Sequence, residues 1–316
     1  AWKVDTGVLT QGLVIALYNY MSQILVELIK MADLIINMTK AAACADRIGA
    51  VLSIENDQRE GSRRQTLRGA VEFRNVTAHY AGAGDASLTD IDFSVGPGKT
   101  VGIIGGTGSG KTTLVNLIPR LYDAAQGQVL LDGKNVADYD LESLRGQIGL
   151  VPQKAVLFQG TIRENLLWGN PQATEEELWE ALKVAQAEEV VKGKPKGLEE
   201  PVEQGGMNFS GGQCQRLTIA RGLVRHPKIL ILDDSASALD YATDANLRMA
   251  IRAMENPPTT FIVSQRAASV RFADEILVLD DGRLVGRGTH EALLESCPVY
   301  QEIYYSQFPK EAAENG

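Results

Sequence analysis

The sequence predicts a doubly wound α/β core that binds a nucleotide at the carboxyl ends of its strands, preceded by one long apolar helix. Residues 105–112, Gly-Gly-Thr-Gly-Ser-Gly-Lys-Thr, satisfy the phosphate-loop pattern G-x-x-x-x-G-K-[ST]. Apolar runs at 100–104, 229–232, 261–263 and 275–279 are separated by stretches of helical spacing, as in a parallel sheet buried on both faces. Residues 8–28 are mostly apolar, and helical apolar spacing continues to Leu52.

The phosphate loop comes first. Its glycines, Gly105, Gly106, Gly108 and Gly110, let the backbone of Thr107 and Ser109 curl until successive N–H groups face one point. A helix that follows adds its free N–H groups and positive dipole end, which makes the place an anion site. Lys111 is expected to reach the β- and γ-phosphates and the Thr112 hydroxyl to ligate Mg²⁺. Thr113 is expected to begin the helix, which Pro119 closes.

Composition excludes several classes. The chain has 316 residues, 44% hydrophobic and 22% charged, an ordinary globular balance with enough apolar material for a core. A net charge of −9 argues against nucleic acid as a main partner, so nucleotide binding must rest on local geometry. Cys44, Cys214 and Cys297 are far apart and form no C-x-x-C pair, so neither a disulfide framework nor a zinc site is indicated and a reducing compartment is the default.

Along the chain, the apolar stretch from residue 8 is long enough to cross a bilayer, and Lys40, Arg47, Arg59, Arg63, Arg64 and Arg68 all follow it, which puts its C-terminal side in the cytoplasm. Glu27, Lys30 and Asp33 also suit an amphipathic soluble helix packed on the globular part. Without a basic start or a small-residue cleavage site it is not a signal peptide. Residues 53–70 are polar and read as a linker. Alternating patterns at 71–76 and 88–95, around a Gly/Ala loop at 81–87, predict a small β-subdomain ahead of the phosphate loop. Further strands are expected at 127–133 and 148–153, and helical spacing at 161–167 and 174–191 makes 155–225 a mostly helical insertion.

Asp233 closes the apolar run at 229–232, where a phosphate-loop NTPase holds Mg²⁺ with a carboxylate. Ser210-Gly211-Gly212-Gln213 opens a predicted helix and forms a second backbone anion site. One helix start rarely serves phosphates that a loop already wraps, so this motif is expected to act in trans, on a nucleotide held by another subunit.

Together these motifs resemble the ATP-binding cassette (ABC) family, specifically the C-terminal part of exporter-type half-transporters, over nearly the whole chain. The resemblance implies a P-loop NTPase core with an antiparallel β-subdomain and a helical subdomain, and ATP and Mg²⁺ as cofactors. Tyr80 matches the aromatic that stacks on adenine, Gln153 the glutamine that senses Mg²⁺ and the transmembrane part, and Glu203 the exporter cross-talk carboxylate. Asp240, closing 237–240, matches the aspartate that meets the partner. Residues 38–54 resemble the end of the sixth transmembrane helix. The implied organisation is residues 1–52 as the end of the transmembrane domain, 53–70 as linker and 71–310 as nucleotide-binding domain. Further membrane helices are implied upstream, in a multi-pass protein whose nucleotide-binding domain is cytoplasmic. The implied partners are a second half-transporter and the lipid bilayer, with no nucleic acid.

Two positions depart from the family pattern. Asp234 stands where the family has its catalytic glutamate, and Gln265 where a histidine usually ends the later strand. Aspartate falls about 1 Å or more short of a water placed for in-line attack, a misplacement that can cost on the order of 100-fold. Glutamine can donate a hydrogen bond but cannot carry a proton or a positive charge. With Gln153, these residues are expected to form a site that binds ATP well and hydrolyses it slowly. Apart from Phe209, where the family often has leucine, the signature at 209–213 is intact, so this chain is expected to complete the active site of a different partner. The alternatives are a self-sufficient homodimeric exporter ATPase and a soluble regulatory cassette; a phosphate-loop kinase is disfavoured by residues 210–213. His79, His226 and His290 are assigned local structural roles.

Overall fold

The computed structural model describes residues 10–54, 58, 61–80, 86–235 and 238–308. The chain divides into two compact units, residues 1–59 and 60–316.

The first unit is one helix, α1 (Gln11–Leu52), of 42 residues. The Thr10 hydroxyl caps it by accepting from the Leu13 N–H at 3.3 Å. At about 1.5 Å per residue it is long enough to cross a membrane, and its composition is apolar enough to do so. No residue of α1 is buried. Some of its polar side chains find partners on the helix itself: Lys30 pairs with Glu27 at 2.8 Å, and the Thr39 hydroxyl donates to the Ile35 carbonyl at 2.8 Å.

The second unit is built on two sheets. Strands β1 (Val71–Ala78), β2 (Leu88–Val95), β4 (Gln126–Leu131) and β5 (Lys134–Asn135) form an antiparallel sheet in the order β2-β1-β4-β5. Half of this subdomain therefore follows the phosphate loop, whereas the sequence reading placed it wholly ahead. The reason is register: Val71 lies opposite Leu131 and Phe73 opposite Val129, so β4 supplies apolar partners to the buried face of β1. The Phe73 and Phe93 rings stack on that face at 4.6 Å.

The larger sheet has six strands in the order β12-β11-β3-β10-β9-β6: β3 (Thr100–Gly105), β6 (Ile148–Val151), β9 (Ile229–Asp233), β10 (Thr259–Val263), β11 (Glu275–Asp280) and β12 (Arg283–Gly288). All neighbours are parallel except the edge pair β11 and β12. Every residue of β3, β9 and β10 is buried, which is why these strands read as continuous apolar runs. Because they run parallel, the segments leaving β3, β6, β9 and β10 emerge at one edge of the sheet, where the candidate site forms.

Residues 160–223 fold around helices α4 (Ile162–Leu167), α5 (Glu175–Val184), α6 (Glu188–Lys192) and α7 (Gly211–Leu223), with a short hairpin of β7 (Gly160–Thr161) and β8 (Pro201–Val202). Capping boxes at Thr161/Glu164, Thr174/Glu177 and Ser210/Gln213 start α4, α5 and α7. The helical spacing over 174–191 is realised as two helices, because Gln186 adopts a left-handed φ of 57° between the buried Ala185 and Ala187. Helices α2 (Lys111–Leu117), α3 (Leu141–Gly146), α8 (Tyr241–Arg252), α9 (Ala267–Val270), α10 (His290–Ser296) and α11 (Pro298–Gln307) complete the unit. Helix α2 begins at Lys111, two residues ahead of the expected start at Thr113, because Gly110 caps it with a φ of 91° that glycine adopts freely.

The stretch read as linker is partly a packed strap. Leu67 is buried, its N–H donates to Gln147 Oε1 at 2.7 Å, and Gln147 Nε2 donates to the Gln65 and Ser143 carbonyls at 2.9 and 3.0 Å. The N–H groups of Arg68 and Ala70 both donate to the Asp132 carboxylate, at 2.6 and 2.9 Å, and the Thr259 hydroxyl donates to the Gly69 carbonyl at 2.7 Å. The strap escaped sequence reading because one buried leucine and backbone hydrogen bonds leave no periodic pattern. Gln147→Ala is expected to lower stability by about 1–3 kcal/mol, the cost of leaving such groups unpaired. Thermal unfolding, with limited proteolysis between residues 61 and 70, measures it; an unchanged melting temperature counts against the strap.

Candidate functional site

The phosphate loop joins the end of β3 to α2. A Cβ on Gly105 would sit 2.1 Å from the Leu279 carbonyl oxygen of β11, so only glycine lets the loop leave the sheet here. Gly108 has a φ of 83°, a region open to glycine. Lys111, buried at the start of α2, donates through Nζ to the carbonyls of Gly105 and Gly106 at 2.9 and 2.5 Å and to Ser109 Oγ at 3.2 Å. The ammonium is thus held inside the curl of Gly105, Gly106, Thr107, Gly108, Ser109 and Gly110. Burial pushes its pKa below the usual lysine value, while Asp234 and Asp233 pull it back up.

The Thr112 hydroxyl meets Asp233 Oδ1 at 3.2 Å across the sheet edge. Burial raises the Asp233 pKa above the ordinary carboxylate value, partly offset by the Thr112 hydrogen bond. A hydroxyl and a carboxylate beside the loop, with Gln153 near them, are hard oxygen donors of the kind Mg²⁺ takes. Among the described residues no three His, Cys, Asp or Glu side chains cluster as a protein-made metal cage. The donor set suits a cation shared with phosphates, the usual Mg²⁺ arrangement.

Asp234 follows directly, with a left-handed φ of 46°. This turn aims its carboxylate at the segment after β6, where Gln153 Nε2 donates to Asp234 Oδ2 at 3.1 Å. Burial raises its pKa as well, opposed by the Gln153 hydrogen bond and by the charges of Arg266 and Lys111. Tyr80, after β1, bonds Thr113 Oγ1 through its hydroxyl at 2.8 Å and meets the Tyr122 ring edge-on at 5.1 Å. Tyr80, Thr107, Gly108, Gly110, Lys111, Thr112, Thr113, Gln153, Asp233, Asp234 and Gln265 line one cleft of about 510 Å³. The fold thus brings together predicted residues as far apart in the chain as Tyr80 and Gln265.

Ser210, Gly211, Gly212, Gln213 and Asp240 are absent from that lining. Ser210 and Gly211 are exposed at the start of α7, and Asp240 is exposed as the cap of α8, accepting from the Thr243 N–H at 2.9 Å. Ser237 lies outside the described residues, as do 81–85 of the predicted Gly/Ala loop. The lining also includes Ser87, Asp281 and Gly282, which sequence reasoning missed. Asp281-Gly282 announces a hairpin turn, here between β11 and β12, but nothing in the dipeptide says that the turn borders a nucleotide cleft. Of the histidines, His290 Nδ1 bonds the Tyr300 hydroxyl at 2.8 Å and His226 meets Glu177 at 3.4 Å, both away from the cleft.

Residues 88–237 match the family model described as ABC transporter. Over 316 residues, all of this chain and 55% of the relative, the chain is 43% identical to the uncharacterized ABC transporter ATP-binding protein YfiB of Bacillus subtilis (strain 168). Residues 88–237 belong to the ABC transporter family. Within that family the chain is 39% identical, over 84% of its length and 46% of the relative, to the ATP-dependent lipid A-core flippase of Haemophilus influenzae (strain 86-028NP). Among solved structures, a bacterial Atm1-family ABC exporter with ATP bound superposes with a TM-score of 0.78 at 32% identity, covering 86% of this chain and 48% of that one. The chain spans about half the length of the curated ABC relatives it matches.

Proposed function

We propose that this chain is the C-terminal part of an ABC exporter subunit. It binds Mg-ATP in the cleft around the phosphate loop and couples that binding, with hydrolysis at a composite site, to movement of a substrate across a membrane. Residues 1–52 are the end of its transmembrane domain, and the nucleotide-binding domain, with its strap from residue 61, lies on the cytoplasmic side. The observation that carries the reading is the convergence of Lys111, Thr112, Asp233, Asp234 and Gln153 on one cleft, with the Ser210 helix start exposed elsewhere.

Within the cleft, the loop N–H groups and Lys111 hold the β- and γ-phosphates, and Thr112, Asp233 and Gln153 hold the cation. Mg²⁺ supplies neutralisation of the phosphate charge. Tyr80 is offered to the adenine ring. Asp234 is placed to orient the attacking water, with Gln153 fixing its carboxylate, but its side chain is one methylene too short. Gln265 offers the γ-phosphate a hydrogen bond without a charge. This cleft therefore retains ATP and turns it over slowly. The intact start of α7 and Asp240 complete the cleft of a partner half-transporter whose own residues do the chemistry.

ATP-dependent association tests this. Mg-ATP is expected to shift the chain toward dimers in analytical ultracentrifugation. Ser210→Ala should weaken that association several-fold while leaving ATP affinity at low protein concentration unchanged. A Ser210→Ala loss of affinity in the dilute monomer would place the motif in cis and overturn the proposal.

A further inference from the structure

Gln307, the last residue of α11, holds the turn that leaves β10 on both sides of Arg266. Its Nε2 donates to the Gln265 carbonyl at 2.7 Å, and its Oε1 accepts from the Ala267 N–H at 2.9 Å. One primary amide thus satisfies an acceptor and a donor two residues apart, a match that neither a carboxylate nor an ammonium can make. The clasp sits on a docked helix. Tyr300 of α11 is fully buried with its hydroxyl on His290, and the Tyr304 ring packs against both His290 and Phe308, at 5.0 and 4.9 Å. The other end of the turn is fixed to the sheet, since the Ser264 N–H donates to the Ile103 carbonyl of β3 at 3.0 Å and Ser264 Oγ accepts from the Arg266 N–H at 3.0 Å. Between these two anchors, Gln265 borders the cleft.

We infer that Gln307 is a positioning residue of the nucleotide site. It sets the backbone that aims Gln265 at the terminal phosphate of ATP and touches no substrate itself. The inference rests on the placement of Gln265 against the γ-phosphate proposed above. Because ADP lacks that phosphate, the effect of Gln307 falls on the preference for ATP over ADP rather than on nucleotide affinity in general. A residue that merely stabilised the fold would move both affinities together.

The test is equilibrium binding of Mg-ATP and Mg-ADP to the full chain and to Gln307→Ala, Gln265→Ala and the double variant. Gln307→Ala is expected to reduce the ATP-over-ADP preference about three- to tenfold, the worth of roughly one hydrogen bond, with ADP affinity unchanged. Gln265→Ala should do the same and the double variant should be no worse, since one residue acts through the other. In Gln307→Glu the ionised carboxylate cannot donate to the Gln265 carbonyl, so the preference should match Gln307→Ala near pH 8. An unchanged preference in Gln307→Ala, an equal loss of both nucleotides, or multiplying losses in the double variant overturns the inference alone. An unchanged preference in Gln265→Ala overturns the placement of Gln265, and the inference with it.

Discussion

Replacing Asp234 by glutamate and Gln265 by histidine together is expected to raise ATP turnover by on the order of 100-fold, the cost attached to a catalytic group about 1 Å out of place. Glutamate adds the missing methylene beyond a backbone already turned toward Gln153, so the carboxylate advances into the cleft instead of away from it. Histidine restores a group that can carry positive charge beside the γ-phosphate under attack. ATP affinity should change little, because the loop and Lys111 are untouched. Steady-state phosphate release at high protein concentration, measured beside equilibrium ATP binding, decides the matter. Brisk turnover by the unmodified chain would replace the slow-site proposal with a self-sufficient homodimeric ATPase.

Lys111→Ala is expected to weaken ATP binding by on the order of 100-fold, about 2.7 kcal/mol, in keeping with hydrogen bonds to charged groups. The side chain also serves the protein, because its positive charge lowers the pKa of both Asp233 and Asp234. Without it those folded-state values rise further above their unfolded ones. A carboxyl whose folded pKa is raised contributes stability below its unfolded pKa and loses it as pH rises through the folded value. Relative to the parent, the variant should therefore be less stable near pH 8 than near pH 5, which thermal unfolding at the two pH values measures. Unchanged ATP affinity would remove Lys111 from the phosphate site.

The legibility of this molecule follows from which signals are local. The loop, the strand before it and Asp233 were readable because each motif is a run of adjacent residues whose chemistry needs that spacing. Strands β3, β9 and β10 announced themselves by burial on both faces. What stayed hidden depends on long-range pairing. The docking of β4 on β1 is set by apolar register across 60 residues, from Val71 to Leu131. The pairing of Gln153 with Asp234 joins residues 81 apart through a turn with positive φ. The break at Gln186 within the stretch of helical spacing is a matter of tertiary packing, since Ala185 and Ala187 are good helix formers.

The strap at residues 61–70 alters how the nucleotide-binding unit answers to force. A slack tether would absorb displacement in its own coil entropy before any load reached the fold. Here the backbone of residues 67–70 is fastened at Gln147 just ahead of β6, at Asp132 just beyond β4 and at Thr259 on β10. Tension arriving along the chain is delivered to both sheets at once, and through β6 and β10 to the strands that lead into Gln153 and Gln265. The cleft is in that sense mechanically addressed from the N-terminal side, by a cable made fast at three cleats.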